Sequence, residues 1–117
     1  MNIEVGEYVR DDEGFIMKIN EVYYDDKYKD YAIKSPSKPF FIYSKNVYKH
    51  SKNIIDLIEA GDYVNGKYVY KNGEDFSGYK CLHMESSKVY ACEDFIYEDD
   101  IKSIVTKEQF ENMEYIL

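Results

Sequence analysis

The strongest constraint on the fold of this 117-residue chain is an internal repeat. The sequence Val-Gly-Glu-Tyr-Val-Arg at residues 5–10 returns as Ala-Gly-Asp-Tyr-Val-Asn at residues 60–65, which is 55 positions later. A second match, of residues 42–44 with residues 89–91, follows in the same order at a spacing of 47. Two matches in the same order predict a duplicated unit. Because the second spacing is shorter than the first, we expect the first copy to contain a longer connection, at residues 24–30.

The duplication predicts two small modules, residues 1–59 and residues 60–117. Both contain short runs of aromatic and β-branched residues, separated by turns rich in glycine and acidic residues. This pattern is typical of a β-barrel or a β-sandwich. We therefore expect a mostly-β fold with the two modules packed together.

In the first module, the sequence predicts strands at residues 15–22, 31–34 and 40–43. The last two are joined by a loop containing Pro36 and Pro39. Proline lacks the N–H group that strand pairing needs, so we expect this loop to stay outside the sheet.

In the second module, we expect a strand at residues 67–70 and a hairpin formed by residues 79–84 and 88–92. The hairpin would turn at the two serines between these segments. Alternation along the two strands predicts that one of its faces is apolar.

The segments that close the modules are predicted separately. Residues 51–59 favour a short turn followed by a strand. The sequence Thr-Lys-Glu-Gln at residues 106–109 has the order of a capping box, which predicts a C-terminal helix of about one or two turns. Residues 113–117 are expected to add a final strand.

The head of the first module carries a resemblance. Gly-Glu-Tyr-Val-Arg at residues 6–10, with Gly-Phe-Ile-Met-Lys-Ile at residues 14–19, resembles the opening of small Src-homology-type (SH3-like) barrels. Residues 49–66 and 101–111 are similar to blocks that recur in small uncharacterised phage and prophage proteins of low-GC Gram-positive bacteria. The resemblance implies two tandem SH3-like barrel modules. It implies no catalytic residues, because that group has no assigned activity.

Composition and charge exclude several classes of protein. The start of the chain lacks a signal-peptide pattern, and no apolar run approaches the roughly 20 residues of a membrane-spanning helix. Two cysteines do not make a disulfide scaffold. We expect a cytoplasmic protein of a bacterial host with no membrane partner. The net charge of −8 argues against direct binding to nucleic-acid phosphates. Unpaired edge strands would be compatible with a homodimer.

The strongest candidate for chemistry is the set Cys81, His83, Tyr90 and Cys92. A two-residue turn in the predicted hairpin would place Cys81 opposite Cys92 and the imidazole opposite Tyr90. A metal site would need a fourth ligand or a Cys-x-x-Cys pair, and a thiol nucleophile would need an orienting acid. The sequence offers neither, so we predict no metal, no cofactor and no catalytic residue. His50 is expected to be a solvated loop histidine.

Acidic residues cluster on the predicted loops, with tyrosines among them. Such a surface can imitate the spaced charge of a nucleic acid and compete for the basic groove of an enzyme. The alternative is an ordinary solubilising role. We predict a non-enzymatic protein that binds a host protein, such as a nucleic-acid-directed defence enzyme of the CRISPR type that it would inhibit. The residues assigned to this surface are Asp11, Asp12, Glu13, Tyr24, Asp25, Asp26, Tyr28, Glu74, Asp75, Glu93, Asp94, Glu98, Asp99 and Asp100.

A second function remains open. Lysines without an intervening acid, interleaved with aromatic residues, suit a β-barrel that binds single-stranded nucleic acid or a small ligand by stacking. The residues of this basic and aromatic patch are Lys34, Lys38, Phe40, Lys45, Tyr48, Lys49 and Lys52.

Overall fold

A computed structural model describes residues 2–36, 41–85 and 94–112 of the chain. It divides into two compact units, Met1–Leu57 (unit 1) and Ile58–Leu117 (unit 2). The fold of the described residues is mostly β, as predicted, with short helical segments between the strands and one α-helix near the C-terminus. None of the helices in these residues has the length and apolar character needed to cross a membrane.

Unit 1 contains two antiparallel three-stranded sheets. Its strands are β1 (Tyr8–Asp11), β2 (Ile16–Lys18), β3 (Glu21–Asp25), β4 (Asp30–Lys34), β5 (Phe41–Tyr43) and β6 (Val47–Ser51). The first sheet has the order β2-β1-β6, and the second has the order β3-β4-β5. A 3-10 helix, Ser44–Asn46, connects β5 to β6, and a second one, Ile54–Leu57, follows β6.

The core of unit 1 is small and apolar. Val9, Met17, Ile19 and Ile33 form its buried cluster, drawn from β1, β2, β4 and the segment after β2. Arg10 is 0% exposed beside this cluster, and its Nη1 donates a hydrogen bond of 2.8 Å to the carbonyl of Leu57. A guanidinium can be buried at this position because a backbone acceptor meets it.

Unit 2 forms one five-stranded antiparallel sheet. Its elements are β7 (Tyr63–Val64), β8 (Lys67–Glu74), β9 (Lys80–Met84), β10 (Asp94–Ile96), β11 (Ile104–Val105) and the helix α1 (Lys107–Asn112). The strand order is β10-β9-β8-β7-β11. Its buried apolar residues are Ile58, Val64, Val69, Cys81, Leu82 and Met84. A 3-10 helix, Glu98–Asp100, follows β10.

The opening turn of unit 1 is built by a glycine and the acid after it. Gly6 has φ of 95°, a left-handed conformation that favours glycine. The Glu7 carboxylate accepts a 2.6 Å hydrogen bond from the N–H of Glu4. The chain then pairs with the segment after β2, because the N–H of Ile19 donates to the carbonyl of Glu7 at 2.8 Å.

The same turn opens unit 2. Gly61 has φ of 98°, and the Asp62 carboxylate accepts a 2.7 Å hydrogen bond from the N–H of Glu59. The N–H of Val69 donates to the carbonyl of Asp62 at 2.9 Å, as Ile19 does in unit 1. The first block of the predicted repeat therefore has one local structure at both of its occurrences.

The predicted capping box is confirmed. The N–H of Gln109 donates to Thr106 Oγ1 at 3.3 Å, and the N–H of Thr106 donates to Gln109 Oε1 at 3.0 Å. Asp62 adds a tertiary contact, since its second carboxylate oxygen accepts the N–H of Lys107 at 2.8 Å. The helix α1 therefore begins on bonds both local and distant in sequence.

Several predicted strand positions need correction. Residues 51–59 contain the predicted turn, as the 3-10 helix Ile54–Leu57, but no strand follows it; the strand comes before, as β6. Residues 24–30, expected as a long connection, belong mostly to the β3–β4 hairpin, in which Tyr24 lies opposite Tyr31. Because β3 ends at Asp25 and β4 begins at Asp30, only residues 26–29 of this segment form the turn. The predicted final strand at residues 113–117 lies outside the described residues.

The predicted register of the second hairpin is also wrong. In the β9–β10 ladder, His83 lies opposite Phe95 and Leu82 lies opposite Ile96. Leu82 is fully buried, so the register places a second apolar residue beside it on the inner face. His83 therefore pairs with Phe95 on this side, and a two-residue turn cannot connect β9 to β10. Tyr90 and Cys92 lie outside the described residues.

We predict that Asp62→Ala destabilises unit 2. The side chain is 0% exposed and accepts backbone N–H groups from both Glu59 and Lys107, which alanine would leave without this acceptor. The expected loss is about 2–3 kcal/mol in the free energy of unfolding, measured by urea denaturation. Asp99→Ala, which removes an exposed carboxylate, should change stability by less than about 0.5 kcal/mol. Equal losses in the two variants would contradict this role of Asp62.

Candidate partner-binding site

The first acidic loop is the turn between β1 and β2. Asp11 holds it from inside, because its Oδ1 accepts the N–H of Glu13 at 3.0 Å and the N–H of Phe15 at 2.8 Å. Burial raises the pKa of the Asp11 carboxyl. Asp12 and Glu13, in contrast, are exposed. The turn therefore uses one carboxylate for its own structure and presents two to solvent.

A cleft of about 440 Å³ lies between this turn and the end of β5. Acidic residues form one side of it, and aromatic residues contribute much of the rest. The lining residues are Asp11, Asp12, Glu13, Phe15, Phe41, Ile42, Tyr43 and Asn46. The sequence predicts these acids as part of a binding surface, but it assigns the aromatic residues at 40–48 to the alternative basic patch and does not place Phe41 and Tyr43 beside the acids. One available signal was the sequence Phe-Ile-Tyr, which occurs at residues 41–43 and again at 95–97.

The walls of the cleft are held by contacts within unit 1. The ring of Tyr43 packs against Phe41 with centroids 5.5 Å apart and against Tyr28 at 5.2 Å. On the other side, the N–H of Asp12 donates to the carbonyl of Asn46 at 3.0 Å. These contacts fix the aromatic and the acidic sides relative to each other.

The second acidic loop is the β3–β4 turn. Asp25 Oδ1 accepts the N–H of Lys27 at 3.0 Å, and its Oδ2 accepts the hydroxyl of Tyr43 at 3.0 Å. Burial and the Asp25 carboxylate raise the pKa of Tyr43 to about 12. Asp26 is exposed, as are the rings of Tyr24 and Tyr28. Asp25 is therefore a structural residue, while its neighbours face solvent.

Unit 2 repeats this arrangement at the β8–β9 turn. Asp75 Oδ1 accepts the N–H of Ser77 at 2.8 Å and that of Tyr79 at 3.0 Å. Its Oδ2 accepts the hydroxyl of Tyr97 at 2.7 Å. This hydrogen bond lowers the pKa of Asp75 and raises the pKa of Tyr97 to about 12.

The recurrence corrects the second block of the predicted repeat. Tyr43 and Tyr97 both precede a 3-10 helix, and both donate to an aspartate in the preceding hairpin. The structural counterpart of Tyr43 is therefore Tyr97, and not Tyr90. Tyr43 and Tyr97 are 54 positions apart and not 47, because β9 ends at Met84 and β10 begins only at Asp94.

The remaining predicted acids differ in their surroundings. Asp94 lies 3.6 Å from the ammonium of Lys67, and Glu74 is exposed. The 3-10 helix Glu98–Asp100 carries three acids in one turn, of which Asp99 and Asp100 are exposed. Glu93 lies outside the described residues. Within each unit, the predicted acids are thus distributed over more than one loop.

The basic patch is dispersed within unit 1. Lys34 lies on β4 with its ammonium 5.4 Å from the centre of the Tyr23 ring, and Lys49 lies on β6 at 5.6 Å from the Tyr48 ring. These two strands belong to different sheets. The exposed members of the patch include Lys45, Tyr48 and Lys52, while Lys38 and Phe40 lie outside the described residues.

His50 differs from its predicted state. It lies on strand β6 and not on a loop, and its side chain is 35% exposed. Its Nδ1 lies 3.1 Å from Glu7 Oε1, so it bonds to the acid of the opening turn. Burial works against ionisation of Glu7, but hydrogen bonds from the Glu4 backbone and from His50 keep its pKa below the usual value.

Cys81 and His83 both lie on β9 but have different surroundings. Cys81 is fully buried as a free thiol, and burial raises its pKa. His83 Nε2 lies 3.1 Å from the carbonyl of Glu74, and its ring packs on Phe95 with centroids 4.8 Å apart. In residues 2–36, 41–85 and 94–112, no group of three His, Cys, Asp or Glu side chains is placed to hold a metal ion.

Comparisons with protein-family models, with curated proteins and with solved structures found no match to this chain.

We predict that Asp75→Asn lowers the pKa of Tyr97. The Asp75 carboxylate favours the neutral phenol, so its replacement by a neutral amide should bring the pKa from about 12 toward about 10, the ordinary tyrosine value. A pH titration followed by carbon NMR of the tyrosine rings measures this. Asp99→Asn serves as the control and should leave Tyr97 unchanged. A pKa that stays near 12 in Asp75→Asn would contradict the assignment.

Proposed function

We propose that this protein is a non-enzymatic phage or prophage accessory protein that binds a host protein through acidic and aromatic loops. The observation that carries the proposal is that some loop acids stabilise their own turns while neighbouring acids are exposed. Asp11, Asp25 and Asp75 are engaged in their own turns, whereas Asp12 and Asp26 next to them are exposed. Turns held by buried or bonded acids can present further acids rigidly.

Each unit is proposed to be a small SH3-like module, and the chain a tandem duplication of it. In unit 1, β1 pairs with both β2 and β6, β3–β5 form a meander, and a 3-10 helix precedes β6. In unit 2, β7 pairs with β8 and β11, and a 3-10 helix again precedes the last strand. This shared order, together with the two opening turns and the two Asp–Tyr hydrogen bonds, supports the proposal.

The proposed target is a nucleic-acid-binding defence enzyme in the cytoplasm of the host. A protein of net charge −8 is attracted at long range to a basic groove, and carboxylates on separate loops can occupy positions that phosphates would take. Binding of this kind would inhibit the enzyme by competition, as an anti-CRISPR protein of the competitive type would.

Direct binding of nucleic acid through the lysines at residues 34–52 has weaker support. Lys34 and Lys49 lie on different sheets, each against a tyrosine ring of this chain. The net negative charge would also weaken attraction to phosphates.

We predict that the protein forms a salt-sensitive complex with a nucleic-acid-binding host protein. Immobilised protein should capture it from host lysate at low salt and release it when salt or single-stranded DNA is added, because DNA would compete for the same basic groove. The triple variant with Asp26→Asn, Asp99→Asn and Asp100→Asn should retain much less of the partner.

The matched control neutralises three lysines, Lys45→Gln, Lys49→Gln and Lys52→Gln, and should retain the partner. Loss of capture in the lysine variant alone, together with retardation of single-stranded DNA in a low-salt gel shift, would favour the basic patch. Capture that resists both salt and DNA would contradict competition with nucleic acid.

A further inference from the structure

The cleft of unit 1 combines negative charge with aromatic surface in a way that selects a ligand. We infer that it receives one arginine side chain of the partner protein, an inference that rests on the proposed function. The exposed carboxylates of Asp12 and Glu13 would pair with the guanidinium, while Phe41 and Tyr43 would pack on its plane. Arginine suits such a site because its flat cation can stack on a ring and bond to carboxylates together.

Among the residues that the structure describes, the lining of the cleft carries negative charge and no positive charge. Three of the eight described lining residues have a carboxyl group and none of these eight is basic. Lys45, which is next to the cleft in sequence, donates its backbone N–H to Asp30 at 3.1 Å and interacts with that carboxylate. A cation entering the cleft would therefore meet acids that none of the described lining residues neutralises.

The aromatic side is fixed before a ligand arrives. The hydroxyl of Tyr43 is bonded to Asp25, and its ring lies between those of Tyr28 and Phe41. Phe41 remains 42% exposed at the cleft. An apolar ring held open beside carboxylates favours a cation with a flat apolar face, since little rearrangement is needed on binding.

Unit 2 provides an internal comparison. Its counterpart of the β1–β2 turn is short, and Asn65 in it bonds directly to the segment after β10. Asn65 Nδ2 donates to the carbonyl of Asp100 at 2.8 Å, and its Oδ1 accepts the N–H groups of Lys102 at 2.8 Å and Ser103 at 3.1 Å. In unit 2, the Asn65 amide thus joins the turn to residues 100–103, whereas in unit 1 acids at the equivalent turn lie opposite aromatic rings. The cleft is a property of the longer turn in unit 1 and not of the shared element order.

The test uses the full chain and the peptide acetyl-Gly-Arg-Gly-amide as the probe, with amide resonances followed by NMR. We expect the largest shifts at residues 12–15 and 41–46, and no comparable shifts with the neutral peptide acetyl-Gly-Gln-Gly-amide. The double variant Asp12→Asn with Glu13→Gln should weaken binding about fivefold, as should Phe41→Ala.

The matched controls are Glu4→Gln with Glu111→Gln, which removes the same charge from exposed acids outside the cleft and outside the assigned acidic loops, and Phe76→Ala, which removes an exposed ring outside the cleft. Both should change affinity by less than about twofold. If the two acid variants weaken peptide binding equally, the binding reflects only the net charge of the protein, and the cleft is not a specific arginine site. A lysine peptide that binds equally well would overturn the preference for guanidinium.

Failure of this site is distinguishable from failure of the proposed function. If the host complex forms and is released by salt, while the arginine peptide shifts no resonance of the cleft, the arginine site is wrong and the acidic-surface proposal stands. If the peptide binds the cleft but no salt-sensitive host complex forms, the cleft binds arginine and the proposed function is wrong. Each variant is first compared with the parent protein by the dispersion of its amide spectrum, so that loss of folding is separated from loss of contact.

Discussion

A carboxylate that immediately follows a left-handed glycine holds the first turn of each unit, and the rest of the unit depends on it. Glu7 and Asp62 each accept a backbone N–H from three residues earlier, and the carbonyl of each then receives the N–H of Ile19 or Val69. This fixes where the first strand of each unit begins. In unit 2, the same aspartate also receives the first N–H of α1, so the start of the sheet and the start of the helix share one side chain.

The same device recurs at the hairpins. Asp25 and Asp75 accept backbone N–H groups with one oxygen and a tyrosine hydroxyl with the other, which ties each turn to the end of a later strand. Small units have limited apolar cores, so charge-assisted hydrogen bonds of this kind add to their order. The acidity of the chain is therefore partly structural, and only the remaining acids face outward.

The two units differ where one turn is longer. The turn after β1 has room for Asp12 and Glu13 and leaves a cleft against Phe41, whereas the short turn after β7 lets Asn65 bond directly to backbone. Divergence of one turn on a common order of elements can thus leave one unit with a cleft at this turn and the other with direct hydrogen bonds there.

Local signals in the sequence determined the mostly-β character, the glycine turns at Gly6 and Gly61 and the capping box before α1, because each depends on a few neighbouring residues. Tertiary structure alone decided the β9–β10 register, the partnership of Tyr43 with Asp25 and the aromatic wall of the cleft. Register depends on which apolar residues share an inner face, and connection length does not reveal this. Whether an acid is structural or outward-facing depends on the N–H groups that folding brings to it. Residue type alone could therefore not show that Asp11 holds its turn while Asp12 faces solvent.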